Sequence, residues 1–141
     1  MYTATKEFNF EAAHMLDGHT GKCKNLHGHN YKVLVTMSAA RLNEMDMVKD
    51  FYDINQLAKS LFDEFDHAFI YNTNAADDFE HEIATLCKTH GRKVKQLYFR
   101  ATAENMAELF YKTLKTNCPL VTKVTVYETP TSYATYEGDL I

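Results

Sequence analysis

His27-Gly28-His29-Asn30-Tyr31-Lys32-Val33-Leu34-Val35-Thr36-Met37-Ser38 is the stretch whose reading decides the fold. Tyr31, Val33, Val35 and Met37 occupy every second position, and His27 and His29 share their parity. Side chains on a strand alternate between faces, so this pattern predicts a strand with one buried side. Residues 3–14 alternate in the same way, with Phe8, Phe10, Ala12 and His14 on one parity and Glu7, Asn9 and Glu11 on the other. Between them, residues 16–25 form a loop rich in Gly, Asp, Lys and Asn. If the two strands pair antiparallel across that loop, His14 comes beside His27 and His29 on the apolar side.

Three imidazoles converging at one end of a sheet form a candidate metal centre. Neutral imidazole ligates zinc well, and it also accepts iron or manganese. Catalytic zinc usually has three protein ligands and an open position, whereas structural zinc is closed by four. No cysteine pair here has structural-finger spacing. His14, His27 and His29 therefore read as ligands of a catalytic Zn2+ ion, suited to Lewis-acid work on a substrate oxygen. Gly28, between two of them, leaves room for close approach. A single histidine on an apolar face is ordinarily a hydrogen-bonded core residue, but three on the inward parity of neighbouring strands fit that account poorly.

Further along, Asp53 reads as a helix N-cap. Ile54, Leu57, Ala58, Leu61, Phe62 and Phe65 then follow the spacing of one helical face. Thr102 caps a second helix, carrying Met106, Ala107, Phe110 and Leu114, which Cys118-Pro119 closes. Two strands finish the chain, one with Val124, Val126 and Glu128 on a single parity and one over residues 132–136, with a turn at Thr129-Pro130-Thr131. Between residues 71 and 100, a short helix over 77–88 and an extended piece over 96–99 are expected. This order predicts an α+β fold, an antiparallel sheet with helices on one face. Open sheet edges are usually protected, and assembly of several copies into a closed barrel would remove them.

The 141 residues fit one domain spanning 1–141. No apolar run approaches the roughly 18 residues that cross a bilayer, and the first ten residues do not resemble a signal peptide, so no membrane role is expected. A net charge of −4 argues against nucleic acid as partner. Lys88, Arg92, Lys93 and Lys95 cluster, which reads as a solvated loop. Three widely spaced cysteines, Cys23, Cys87 and Cys118, make no disulfide framework and point to a reducing, cytoplasmic setting.

Three further features have two readings each. Cys23, four residues before His27, is either a thiol whose thiolate a nearby cation favours or a spare loop cysteine. Asp66-His67 is either a carboxylate–imidazole proton shuttle or a helix-terminal histidine favoured by the dipole. Glu128, a carboxylate on an apolar parity, either grips the two N–H donors of a guanidine-like heterocycle edge or reaches solvent before Pro130.

Phe8-Asn9-Phe10-Glu11-Ala12-Ala13-His14 followed by Cys23-x-x-x-His27-Gly28-His29 resembles the 6-pyruvoyltetrahydropterin and 6-carboxytetrahydropterin synthase family. Asp50-Phe51, Asp66-His67, Thr102-Ala103-Glu104-Asn105 and Val126-Tyr127-Glu128-Thr129 match in order, so the resemblance covers nearly the whole chain. It implies the tunnelling fold: a four-stranded antiparallel sheet with two helices on one face, with strands joining across subunits into a trimeric barrel and two trimers forming a homohexamer. It implies zinc on His14, His27 and His29 and an acid–base set of Cys23, Asp66 and His67, the last two supplied by a neighbouring subunit. Glu128 would anchor the pterin ring, with Thr102 and Ala103 assisting through backbone groups. The substrate implied is 7,8-dihydroneopterin triphosphate.

Within the family, the Cys23–His27 arrangement and the first motif look more like the bacterial carboxy enzymes. Those release acetaldehyde and triphosphate and leave 6-carboxy-5,6,7,8-tetrahydropterin for queuosine. The pyruvoyl branch and a non-catalytic metal- or pterin-binding module are the alternatives. Residues 74–97 form a longer stretch than compact members carry, and Ala103 stands where relatives often have Ser or Thr.

Overall fold

In a computed structural model describing residues 1–138, β1 (Tyr2–His14) and β2 (His27–Ala39) pair antiparallel over their full length. The register runs from Tyr2 opposite Ala39 to His14 opposite His27. Phe8, Phe10, Ala12, Tyr31, Val33, Val35 and Met37 are buried, as the alternation predicts.

After β2 come α1 (Phe51–Asp63), β3 (Ala68–Asn72), α2 (Asp78–Thr89), β4 (Val94–Leu97), α3 (Ala103–Asn117), β5 (Val121–Thr129) and β6 (Ser132–Glu137). The sheet order is β4-β3-β1-β2-β5-β6. The expected four-stranded antiparallel sheet is thus present as β1-β2-β5-β6, but the described sheet has six strands. β3 pairs parallel with both β1 and β4. Parallel neighbours need a crossover, and α2 supplies it between β3 and β4.

The main core lies on one face, where α1 and α3 pack on the sheet. Phe10 contacts the rings of Tyr31, Phe62, Phe65 and Phe110 with centroids 4.9–6.1 Å apart. Such pairs add about 1 kcal/mol each beyond their area burial. The third helix corrects the expectation of helices on one face only. α2 covers the opposite side, where Ala84 packs with Met15 and Phe69, and Ala13, Tyr71, Ile83, Cys87 and Val94 pack around them. Ala13 and Phe69 alternate with Ala12 and Ile70, which face the main core.

Two boundaries also move. Asp50, not Asp53, caps α1, accepting from the Tyr52 N–H at 2.8 Å. Asp53 lies in the first turn, because the exposed Phe51 and Tyr52 lengthen the helix without adding to its buried face. β4 begins two residues before the extended piece expected over 96–99. Thr102 caps α3 through Oγ1, which accepts from the Asn105 N–H at 3.1 Å. Among the described residues no helix is long and apolar enough to cross a membrane.

Inside α2, Glu80 is only 1 % exposed. Its Oε2 accepts from the Asn72 N–H at 2.6 Å, while Oε1 has no hydrogen-bond partner among the described residues. Burial pushes its carboxyl above the usual range, and Asp17 and Asp77 add to that, against the Asn72 bond and His81. A raised native pKa means that the unfolded chain releases this proton first, so this residue's contribution to stability is lost as pH rises above about 4.5. Glu80→Gln keeps the acceptor for Asn72 and removes the titration. The variant is expected to lose less stability than the parent between pH 5 and pH 8 in urea denaturation, and to match or exceed it at pH 8 by about 1 kcal/mol. A variant markedly weaker at pH 8 would mean that Glu80 is a paired carboxylate.

Candidate metal centre

The β1–β2 register sets His14 directly across from His27, with His29 two positions further on the same face. The rings approach edge to face, with centroids 4.6 Å apart for His14–His27, 5.2 Å for His14–His29 and 5.1 Å for His27–His29. One donor atom from each lies within 4.8 Å of the other two.

The hydrogen bonds around the rings say which nitrogens face inward. His14 Nδ1 stands 2.7 Å from the carbonyl oxygen of Ala101, and His27 Nδ1 stands 2.7 Å from that of Asn25. A carbonyl oxygen only accepts, so both Nδ1 atoms carry the proton and both Nε2 atoms present lone pairs. Those two Nε2 atoms are 3.0 Å apart. Two bare lone pairs at that distance repel unless a cation or proton lies between them. His29 Nε2 adds a third nitrogen, buried and without a hydrogen-bond partner among the described residues. Orphaned buried polar atoms are costly, and a shared cation would satisfy all three. The donor set fits a zinc ion, with backbone carbonyls orienting the ligands from behind.

Protonation is consistent with this. Burial lowers His14 to about 4, with the neighbouring imidazoles adding and the Ala101 bond opposing. Burial also lowers His29, against the pull of Glu128. Neutral rings at neutral pH are the ligating form. Tyr31 lies beneath the trio, its hydroxyl 3.2 Å from His14 Nδ1, and burial holds that phenol far above its ordinary value. Tyr31, Ala101 and Asn25 were not singled out from sequence. Tyr31 could have been, since it follows His29 on the same parity; the two carbonyls leave no trace in side-chain pattern.

The other candidate residues fall in three places. Glu128 lies beside the trio, Oε2 3.6 Å from His29 Nε2. It also lines a cavity of about 210 Å³ with Ala103, Glu104, Ser132, Tyr133 and Ala134. Thr102 precedes Ala103, its hydroxyl spent on the helix cap. Cys23 is half-buried in a 3-10 turn, Lys22–Lys24, whose Cys23 carbonyl accepts from the Leu16 N–H at 2.9 Å. That bond ties the turn to the end of β1, and the thiol makes no hydrogen bond among the described residues.

Asp66 and His67 are elsewhere. Asp66 Oδ1 accepts from the Glu11 N–H at 3.0 Å and lies 3.0 Å from His67 Nδ1, while His67 Nε2 is 3.6 Å from Glu11 Oε2. Glu11 has the parity opposite to Ala12 and His14, so within one chain the pair does not meet the trio. It borders a cavity of about 580 Å³ lined by Glu11, Gly28, His29, Asn30, His67 and Lys93 among others. His67 is exposed, with a left-handed φ of 58°.

An α+β fold with three clustered imidazoles at one sheet end defines a candidate mononuclear metalloprotein. The family model described as 6-pyruvoyl tetrahydropterin synthase matches residues 3–139, and the chain belongs to that family. The 6-carboxy-5,6,7,8-tetrahydropterin synthase of Haemophilus influenzae is 40% identical, covering 97% of this chain and 99% of its own. That of Aquifex aeolicus is 34% identical, over 96% and 97%. Among solved structures, the 6-pyruvoyl tetrahydropterin synthase of Caenorhabditis elegans superposes with a TM-score of 0.73 at 25% identity, covering 98% of this chain and 96% of its own. An uncharacterized protein of Wolinella succinogenes shares the fold with a TM-score of 0.82 at 23% identity, covering 98% of each chain.

Gly28 supplies the test of this geometry. A Cβ there would lie 2.9 Å from the Ala12 carbonyl oxygen, inside the ladder that aligns the ligands. Gly28→Ala is expected to cost about 1–3 kcal/mol in denaturant unfolding and to weaken zinc retention about tenfold or more in competition with a chelator. Unchanged metal affinity would show that the register does not hold the site together.

Proposed function

We propose that this chain is a zinc-dependent 6-carboxy-5,6,7,8-tetrahydropterin synthase, acting on 7,8-dihydroneopterin triphosphate on the route to queuosine. The observation that carries the reading is the three-imidazole centre in a chain 40% identical, end to end, to a protein of that name. His14, His27 and His29 would hold the ion, and bound zinc supplies a Lewis acid for the hydroxyl oxygens of the substrate side chain.

The chemistry sets what the protein's own residues must do. Substrate and product differ by a ring reduction, dihydro to tetrahydro, and by oxidation of the side-chain carbon that becomes the carboxylate. The redox change is internal and one water is consumed, its oxygen completing the carboxylate, so the remaining need is to move protons to and from carbon and nitrogen while triphosphate and a two-carbon fragment, acetaldehyde, depart. Cys23, next to the end of β1, is the base that takes a carbon-bound proton. His67 carries protons, its ring oriented through Nδ1 by Asp66. Glu128, bordering the smaller cavity with Ala103, accepts from the guanidine-like edge of the pterin.

His67 and its own chain's trio lie on different faces of the sheet, so the proton-relay pair serves the centre of a neighbouring copy. This accounts for a site shared between subunits of a homohexamer built as stacked trimers.

Incubating the zinc-loaded protein with 7,8-dihydroneopterin triphosphate is expected to release acetaldehyde and triphosphate and to leave the 6-carboxy product; a diketone side chain without acetaldehyde would assign the pyruvoyl branch. Cys23→Ala and His67→Ala should each lower kcat by about 100-fold or more with zinc retained. Co-assembled, the two inactive variants should regain activity, because some sites then combine Cys23 of one copy with His67 of another. No recovery in mixed oligomers would mean that each chain works alone.

A further inference from the structure

The segment between β3 and α3 brings one cation to the turn that carries Asp66 and His67. Lys93 precedes β4, and its carbonyl accepts from the Phe69 N–H at 3.0 Å, which fixes its backbone beside the start of β3. Its Nζ donates to the carbonyl oxygen of Asp63, the last residue of α1, and to that of Asp66 at 2.7 Å. Carbonyls at a helix C-terminus lack intrahelical partners and carry partial negative charge, so an ammonium satisfies them in both respects.

The turn is also held from within, since the Asp66 N–H bonds the Phe62 carbonyl oxygen at 3.0 Å and the Ala68 N–H that of Phe65 at 3.2 Å, with Phe65 buried. His67 adopts a left-handed backbone without being glycine, a conformation that persists only where surroundings impose it. Its N–H reaches the Glu11 carbonyl oxygen at 2.5 Å, and Asp66 Oδ1 takes the Glu11 N–H at 3.0 Å. β1 thus grips the turn from one side and Lys93 from the other. Both grips act on backbone that directly sets where the Asp66 carboxylate and the His67 ring meet. The Glu11 N–H first, then His67 and the Lys93 charge, hold Asp66 below the usual carboxylate range.

We propose that Lys93 is a positioning residue, whose ammonium clamps the turn bearing Asp66 and His67 and so gives the segment following β3 a role in proton relay. The inference rests on the reading of Asp66 and His67 as the relay pair. Lys95 offers an internal comparison: its Nζ pairs with the Glu64 side chain at 3.3 Å and makes no bond to the turn's carbonyls.

The experiment uses the intact zinc-loaded protein with Lys93→Met, Lys93→Arg and Lys95→Met. Steady-state turnover of 7,8-dihydroneopterin triphosphate is measured against pH, and the His67 ring is titrated by nitrogen NMR, assigned with a His67 variant. Lys93→Met is expected to lower kcat about tenfold or more while KM and zinc content stay near the parent. Loss of the Lys93 charge removes one of the causes that hold the Asp66 carboxyl down, so the acidic limb of the kcat profile should move to higher pH, and a loosened turn should change the His67 ring nitrogen resonances across the titration. Lys93→Arg should restore most of the rate, because a guanidinium still donates to two carbonyls, and Lys95→Met should behave as the parent.

Parent-like kcat and a parent-like His67 titration in Lys93→Met overturn the proposal. So does an equal effect from Lys95→Met, which would reduce it to surface charge. If the parent makes no pterin product, the functional reading fails, while the His67 titration still decides whether Lys93 clamps the pair. Should Lys93→Met fail to fold, Lys93→Gln, which keeps an amide NH2 donor but not the charge, carries the same comparison.

Discussion

The pairing of β1 with β2 is the constraint on which everything else rests. Thirteen consecutive residue pairs run without a bulge, and the last of them is His14 opposite His27. Strand faces alternate at every residue, so a slip of one position would turn the β2 histidines away from His14 and carry Tyr31, Val33, Val35 and Met37 out of the core in the same movement. Burial of the aromatic core and alignment of the three imidazoles are therefore one structural event. Much of the energy that holds the three rings together comes from apolar contacts a strand's length away.

That coupling explains why the three-imidazole cluster is legible in the chain. His14, His27 and His29 announce themselves by parity, and parity is what burial enforces. α1 and α3 are legible for the same reason, since Ile54, Ala58, Leu61, Phe62 and Met106, Ala107, Phe110, Leu114 each mark one buried face. β3 is not legible, because Ala68, Phe69, Ile70 and Asn72 are all buried and only Tyr71 is partly exposed, so nothing alternates. A strand covered on both faces loses the contrast on which such a reading depends. The six-stranded sheet and the second-face helix α2 follow from that one unrecognised strand. Asp53 reads as the cap because the apolar spacing starts at Ile54, whereas a hydrogen bond to Asp50 starts the helix three residues earlier.

The two halves of the candidate chemistry differ in how the chain supports them. In the imidazole trio His14 is buried and His27 and His29 are half-buried, all three are fixed by strands, and burial lowers the pKa of His14 and His29. Asp66, half-buried, and His67, exposed, sit on a turn between a helix and a strand, held by backbone contacts from β1 and from Lys93. Ion binding calls for the first environment and proton exchange with a substrate for the second. This molecule builds the two environments on opposite sides of one sheet.

The carbonyls behind His14 and His27 have a consequence for how the centre tolerates change. Ala101 and Asn25 orient the ligands through main-chain oxygens, which every amino acid possesses. Their identities can drift without altering which nitrogen is available, provided the peptide planes keep their angle. The vulnerable feature is loop length: adding or deleting one residue in the connection before α3, or in the turn after Cys23, would rotate a peptide group and free a ring while leaving every histidine intact. Ligand chemistry here is inherited through chain geometry more than through the letters that surround it.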